Sequence, residues 1–298
     1  MNNNKKTYSI IIPHYNSYGL LQRALDSIPF RNDIEVIVID DLSSEPSFQK
    51  LSKDPNYSHI NFIFSDQKIT AGGARNIGLD HAQGIFVLFS DSDDYFTKEA
   101  FQLFDKYTQL NYDLVQFKVT SFLEGTNQVG NRNEYLKKIY RQKGLAKYLS
   151  ISPPYGKLIK RNFIEEYKIR FNEVTAGNDV YFSSKVALFS KQRRFIDKTV
   201  YSVSQNNTSI TATKSDQNNC SRLREQINKI QLILCVTPVW FWAIYLSRRH
   251  ILHSTTCNIN NESTSSSELV ALSREYQRIM PKPIIAVYKF LKLIKMVE

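Results

Sequence analysis

Four short apolar runs constrain the fold more than any other feature: "YSIIIP" (8–13), "IEVIVID" (34–40), "INFIF" (60–64) and "IFVLF" (85–89). They are β-branched or aromatic and do not alternate with polar residues, the pattern of strands buried on both faces. Between the first two, Leu20, Leu21, Ala24, Leu25 and Ile28 recur at helical spacing. Between the third and fourth, Ala74, Ile77 and His81 mark a weaker helical stripe in "AGGARNIGLDHA". Ala100, Phe101, Phe104 and Leu110 predict another helix before a strand-like "DLVQFKV" (113–119). Strand and helix in alternation predict an α/β domain, a mostly parallel sheet with helices on both faces. Ligands of such sheets gather at the carboxyl ends of the strands. The chain places Asp40–Asp41 and Asp91–Asp94 there.

At 298 residues the chain holds one large domain, or one domain with an appendage. From about 120 to 215 the pattern loosens: "EGTNQVGNRN" reads as a loop, "SPPYGKLIKRNFIEE" as a turn feeding a helix, and "NNTSITATKSDQNN" as a polar connection. Beyond 220, "INKIQLILCVTPVWFWAIYLSRR" is apolar, broken by Pro238, with Arg222, Arg224 and Lys229 as basic residues on one side and Arg248 and Arg249 on the other. Residues 230–246 reach only the lower limit of a membrane span, and Trp240, Trp242 and Tyr245 suit an interface. With the basic 284–297 segment, this predicts a helix pair lying on a membrane surface, or packed on the domain. Three parts follow: 1–120, 121–215 and 216–298.

A net charge of +11 favours anionic partners: nucleotide sugars, phospholipid head groups, lipid phosphates or nucleic acid. No nucleic-acid motif accompanies the charge, so nucleic acid is excluded. Cys220, Cys235 and Cys257 share no metal spacing, and their odd number argues against a disulfide framework. "MNNNKKTYSIII" has no long apolar stretch of the signal-peptide kind, so the expected location is cytoplasmic, peripheral on the cytoplasmic face of the membrane.

"VLFSDSDDYF" ends a strand in a cluster of negative charge. Asp91 and Asp93, one residue apart on an extended segment, can offer two carboxylates to a divalent cation with positions open for a diphosphate. Alone, such a turn is far more often structural, a helix cap with solvated acids. "VIVIDDLS" carries a second acidic pair, and between the two lies "TAGGARNIGL". There Gly72 and Gly73 allow close backbone approach and Arg75 can neutralise a phosphate, unless the segment is simply a glycine turn before a helix.

In order and spacing, "SIIIPHYN", "VIVIDDLS", "AGGARNIGLDHAQG" and "VLFSDSDDYF" resemble the nucleotide-sugar half of family 2 glycosyltransferases of the GT-A fold. The resemblance covers residues 7–110 and resumes at 154–183, the family's acceptor half. It implies that Pro13 and Tyr15 line a base pocket, Asp41 reads the pyrimidine edge and Asp40 supports that loop. Arg75 would lie near the diphosphate. Asp91-Ser92-Asp93 matches the DxD motif, with Asp93 the direct metal ligand and Asp91 near the ribose and the metal's water shell. Asp94 would either cap the following helix or touch the donor sugar. "AGNDVYFSSKV" matches the segment that supplies the general base, which places that role on Asp179; Asn178 stands where Glu is usual. The implied cofactor is Mn2+ or Mg2+. Lys157 and Lys160 are expected to be solvated, and "YSVSQNNTSIT" resembles the loop after the acceptor helix. No QxxRW follows, which argues against a processive synthase.

The expectation is an inverting transferase moving a sugar from a nucleotide-diphosphate donor, UDP-linked, to a glycan or lipid-linked glycan in cell-surface polysaccharide synthesis. A nucleotidyltransferase would want a basic glycine-rich loop where "PHYNSYGLL" stands. A third reading is a nucleotide-sugar or glycan-binding protein without turnover.

Overall fold

Tyr8–His14 forms β1 and Ile34–Asp40 forms β2, parallel strands in register from Tyr8 opposite Ile34 to His14 opposite Asp40. In the computed structural model, described for residues 5–44, 46–126, 128–205, 215–238, 241 and 267–279, every residue of β1 is buried. Its side chains alternate between two helical layers. Ile10 and Ile12 join one core with Leu21 and Leu25 of α1 (Tyr18–Asp26) and with Phe101 and Phe104 of α4 (Ala100–Asp105). Ile11 faces the opposite layer, where Gly78 of α3 (Thr70–His81) comes so close that an added Cβ would stand 2.3 Å from Ile11 Cγ2 and 3.0 Å from Ile39 Cδ1.

The other strands are β3 (Asn61–Phe64), β4 (Phe86–Phe89), β5 (Tyr95–Phe96), β6 (Leu114–Leu123), β7 (Lys157–Lys160) and β8 (Arg193–Gln205). They complete one eight-stranded sheet in the order β3-β2-β1-β4-β7-β6-β8-β5. Four pairings are parallel and three antiparallel, the latter all involving β7 or β5. The expected α/β architecture holds, with the parallel bias concentrated in β3-β2-β1-β4. β3 departs from expectation: its residues are exposed or half-buried, because it is the edge strand. α4 stops at Asp105, and Leu110 is exposed beyond it.

The stretch read as loosely patterned is well structured. It holds α5 (Arg132–Tyr140), α6 (Gly144–Ser150), β7 and α7 (Arg161–Glu166). β7 separates β4 from β6, and that position buries Lys157. The expectation that Lys157 is solvated is therefore corrected: its ammonium donates to the Ile151 carbonyl at 3.0 Å, to the Pro153 carbonyl, and to Ser183 Oγ at 3.4 Å. The buried ammonium is thus hydrogen-bonded within the protein rather than hydrated. Lys160 bonds Asn111 Oδ1 at 3.0 Å near the surface.

The chain divides into two compact units, Met1–Val174 with Phe182–Ser209, and Thr175–Tyr181 with Ile210–Glu298. The first holds the sheet. In the second, α9 (Asp216–Val236) starts at Ser215, whose hydroxyl caps the helix by accepting from Asn218 N–H at 3.2 Å. Leu223, Ile227, Ile230 and Ile233 recur at helical spacing on its buried face. Arg224 meets Glu268 of α10 (Ser267–Ile279) at 2.9 Å. Lys229, read as a basic flank, is buried instead on α9. No helix among the described residues is long and apolar enough to cross a membrane. The remainder of the apolar run beyond Pro238, apart from Phe241, and the whole of 284–297 lie outside the described residues.

Candidate functional site

The parallel strands β1, β2 and β4 end at one edge of the sheet, and their carboxyl ends carry the predicted residues. Pro13 lies two residues past the last β1–β4 pair, Ile11 opposite Phe89, so its missing N–H costs that ladder nothing. His14, stacked at 4.3 Å on Phe48 of α2 (Pro46–Leu51), turns Nδ1 to Asp40 Oδ1 at 2.9 Å, while its Nε2 accepts from Ser17 N–H at 3.3 Å. Because the carboxylate only accepts, the imidazole is the neutral Nδ1–H tautomer. Asp40 also accepts from the Ser43 hydroxyl at 2.5 Å and from Ser43 N–H at 3.0 Å. Its carboxylate is thereby spent on holding the β1 and β2 loops together.

Asp41, also buried, accepts from Ile69 N–H at 2.7 Å and pairs with Lys68 at 3.0 Å. The Lys68 ammonium lies 3.1 Å from the ring centroid of Tyr15, which is half exposed (51%). Tyr15 and Asp41 are thus brought together, one cation lying against both. Among the described residues, four non-glycine residues have positive φ: Asn16 (46°) and Leu42 (58°) fall in these loops, Thr70 (63°) opens α3 beside them, and Lys168 (48°) lies elsewhere. Asn tolerates that region; Leu and Thr store strain there, on the order of 1–3 kcal/mol each.

The acidic turn after β4 forms the second cluster. Asp91, Asp93 and Asp94 each offer a carboxylate oxygen, all within 4.8 Å of one another. Arg75, buried on α3 with its guanidinium 5.3 Å from the Phe171 ring, donates to Asp91 Oδ1 at 2.5 Å. Gly72 and Gly73 lie inside the first turn of α3 rather than in a turn before it. A Cβ at Gly73 would stand 3.2 Å from Ile69 Cβ, so packing within the fold accounts for that glycine. Ser92 shares a 2.8 Å hydrogen bond with Ser17, linking the acidic turn to the loop that carries His14 and Tyr15.

Asp94 neither caps a helix nor faces water. It is buried and accepts from Ser204 N–H of β8 at 2.8 Å, and α4 begins without a side-chain cap. Burial first, then Asp91 and Asp93, push its carboxyl well above the usual range. Burial and the Asp91 charge push Asp93 up to about 6. Fully buried Tyr201 accepts from Asp91 N–H at 2.8 Å, and burial beside Asp94 and Asp91 drives its phenol upward too. Three carboxylates crowded this closely make a hard, anionic oxygen set that a Mn2+ or Mg2+ ion would neutralise. Asp94 and Asp91 already have protein donors, which leaves the Asp93 carboxylate the best placed to hold the ion.

Reading the sequence missed the supports of this turn. Arg23 of α1 donates to the Asp93 carbonyl at 2.5 Å and to Glu124 at 2.7 and 3.1 Å. Its guanidinium sits 5.4 Å from the Tyr95 ring and 5.3 Å from the Phe122 ring. Glu124 in turn accepts from the Ser204 hydroxyl. Residues 201–205, taken for a loop, are the end of β8 and back the acidic turn; 206–211 lie outside the described residues. No local signal marks an Arg in an amphipathic helix, or a Tyr in a strand, as belonging to such a network.

Asp179 belongs to the second unit, half-buried in the first turn of α8 (Asn178–Phe189), where a carboxylate complements the helix dipole. Gly177 precedes it with φ of 78°, and an added Cβ there would meet Arg222 Cα at 3.5 Å. Ser221 donates to the Ala176 carbonyl at 2.9 Å, fastening this loop to α9.

Known proteins share parts of this chain's sequence and its fold. GlyA of Streptococcus pneumoniae serotype 4, a glycosyltransferase, is 26% identical over 65% of this chain and 30% of its own length. The Campylobacter jejuni GalNAc(5)-diNAcBac-PP-undecaprenol beta-1,3-glucosyltransferase is 30% identical over 64% of this chain and 62% of its own. The chain therefore spans less than two thirds of either relative. The crystal structure of S. aureus TarS 1-349 in complex with UDP-GlcNAc superposes with a TM-score of 0.79 at 20% identity, covering 94% of this chain and 83% of that one. A sequence model of Glycosyl transferase family 2 matches residues 9–168, from the second residue of β1 to just past α7, a span that holds both acidic strand ends and Arg75. The match takes in more than half of the chain, and the chain belongs to glycosyl transferase family 2.

Proposed function

We propose that the protein is an inverting, metal-dependent glycosyltransferase of cell-surface glycan synthesis, taking a sugar from a UDP-linked donor to a glycan or lipid-linked glycan. The observation that carries this reading is the acidic turn: three carboxylates within 4.8 Å at a strand's carboxyl end, beside the buried Arg75. The relatives supply its context, one named for an undecaprenol-linked acceptor and a structural neighbour crystallised with UDP-GlcNAc.

In this proposal Tyr15 and Pro13 flank the base and Asp41 reads its edge, while Asp40 acts through His14 and Ser43 to hold the loop. A base stacking on the Tyr15 face that Lys68 covers would displace that ammonium. Arg75 takes the diphosphate, and Asp91 and Ser92 face the ribose side of the donor. Asp93, with Asp91, holds the divalent cation, which when bound supplies positive charge to the departing diphosphate. The acceptor hydroxyl attacks the anomeric carbon, the bond from that carbon to the diphosphate oxygen breaks, and Asp179 takes the hydroxyl proton.

The test is a transfer assay with UDP-, GDP- and dTDP-sugars in Mn2+. Asp93→Asn and Asp179→Asn variants are each expected to lose at least about 100-fold in transfer. Full activity in both would overturn the assignment.

A further inference from the structure

We propose that the surface formed by α5, α6 and the start of β8 docks on the headgroups of an anionic bilayer. Residues 132–147 hold six basic side chains against one acidic, Glu134, and residues 191–198 hold four against one, Asp197. These two short stretches thus contribute +5 and +3 to the chain's net +11.

The fold places them side by side. Lys147 of α6 lies 3.9 Å from the ring centroid of Phe195 on β8, and that ring is 5.6 Å from Tyr140 of α5. Lys118 of β6 lies 5.7 Å from the Tyr140 ring, and Arg193 lies 5.8 Å from the Tyr148 ring. Both acids are taken: Glu134 pairs with Lys137 at 2.6 Å, and Asp197 pairs with Lys118. Lys138, Arg141, Lys143 and Arg194 are exposed, and none has an ion-pair partner among the described residues. Burial lowers the Lys147 ammonium from its ordinary value; the Asp197 charge opposes this and the Lys118 charge adds a smaller push in the same direction as burial.

Unneutralised cations call for an external anion, and the exposed apolar groups beside them select the source. Tyr135 (56% exposed) stands one helical turn before Lys138, and Val129 (71% exposed) lies just ahead of α5. An amphipathic ring and an aliphatic side chain gain from the headgroup region of a bilayer. A soluble polyanion would offer them nothing. α5 keeps its own hold on the sheet through buried Leu136 and Ile139, and the Tyr140 hydroxyl accepts from Val119 N–H at 2.9 Å. The basic side chains can therefore be changed without disturbing the core. The inference does not depend on the donor or acceptor.

The test is co-sedimentation of the full chain with vesicles of phosphatidylcholine alone or mixed with phosphatidylglycerol, at about 0.1 M salt. Binding is expected only to the mixed vesicles. A Lys138→Gln, Arg141→Gln, Lys143→Gln, Arg194→Gln variant that unfolds at the wild-type temperature should lose at least about 100-fold in partitioning. A second variant, Val129→Ser with Tyr135→Ser, should lose several-fold. Wild-type affinity in both variants, equal binding to neutral vesicles, or binding to polyphosphate with none to the mixed vesicles would each overturn the proposal.

Discussion

Asp93, the residue proposed to hold the metal, keeps a mostly buried carboxyl beside Asp91. Its carboxyl is pushed up to about 6, first by burial and then by Asp91. Between the ordinary value of 3.8 and about 6, the folded chain binds more protons at this group than the unfolded chain does. Stability is therefore lost as pH rises through that window and stays lost above it, on the order of 2–3 kcal/mol. In denaturant titrations without metal, Asp93→Asn should raise unfolding free energy by about 1–3 kcal/mol at pH 8 and by little at pH 4. The pH slope, not the stability alone, is diagnostic. Arg23 sits at the same scale, since its bond to the Asp93 carbonyl positions the turn rather than touching substrate. Arg23→Met should cost about 1–3 kcal/mol of stability and raise the Mn2+ concentration needed for half-maximal transfer, whereas a purely structural role would leave that requirement unmoved. The carboxylates were visible in the sequence because a strand end carrying "DSDD" is a local pattern. Their supports were not, because Arg23 and Ser204 lie 70 and 110 positions from the aspartates they bond, Glu124 lies 101 and 80 positions from those two, and folding alone brings them together.

Among the elements, β1, β2, β4 and α1 could be read directly, because period and residue type are local and each is buried by its neighbours. Ala74, Ile77 and His81 predict α3 as a helix, but it buries Ala74, Gly78 and Leu79 and leaves His81 exposed. β3 could not be read fully: "INFIF" has the composition of a central strand, and only the strand order makes it an edge. β7 escaped for a related reason, since its four residues begin and end in lysine and one of those lysines is buried by the strands on either side. The most demanding contact between elements is α3 against β1. Gly78→Ala should destabilise the protein by about 1–3 kcal/mol in denaturant titration, since its Cβ would stand 2.3 Å from Ile11 Cγ2 in a core with no free space. Ala substitution at Gly19, where an added Cβ meets nothing within 4 Å, should not destabilise it. If Gly78→Ala were as stable as wild type, the packing of α3 on the sheet would be wrong.

Over the whole molecule, family membership, the sheet order and the two acidic strand ends describe a fold that gathers negative charge at one edge of a sheet in a chain of net charge +11. Composition made the positive balance plain, but its concentration around α5, α6 and β8 emerges only when 132–147 and 191–198 are folded beside each other. In the proposed function a divalent cation at Asp93 holds the diphosphate of a nucleotide donor. Calorimetric titration of UDP into wild-type protein and Asp93→Asn, each with and without Mn2+, tests it most directly. Mn2+ should tighten UDP binding at least about tenfold in the wild type and not in the variant. Equal UDP affinity with and without Mn2+ in the wild type, or an undiminished Mn2+ effect in Asp93→Asn, would contradict it.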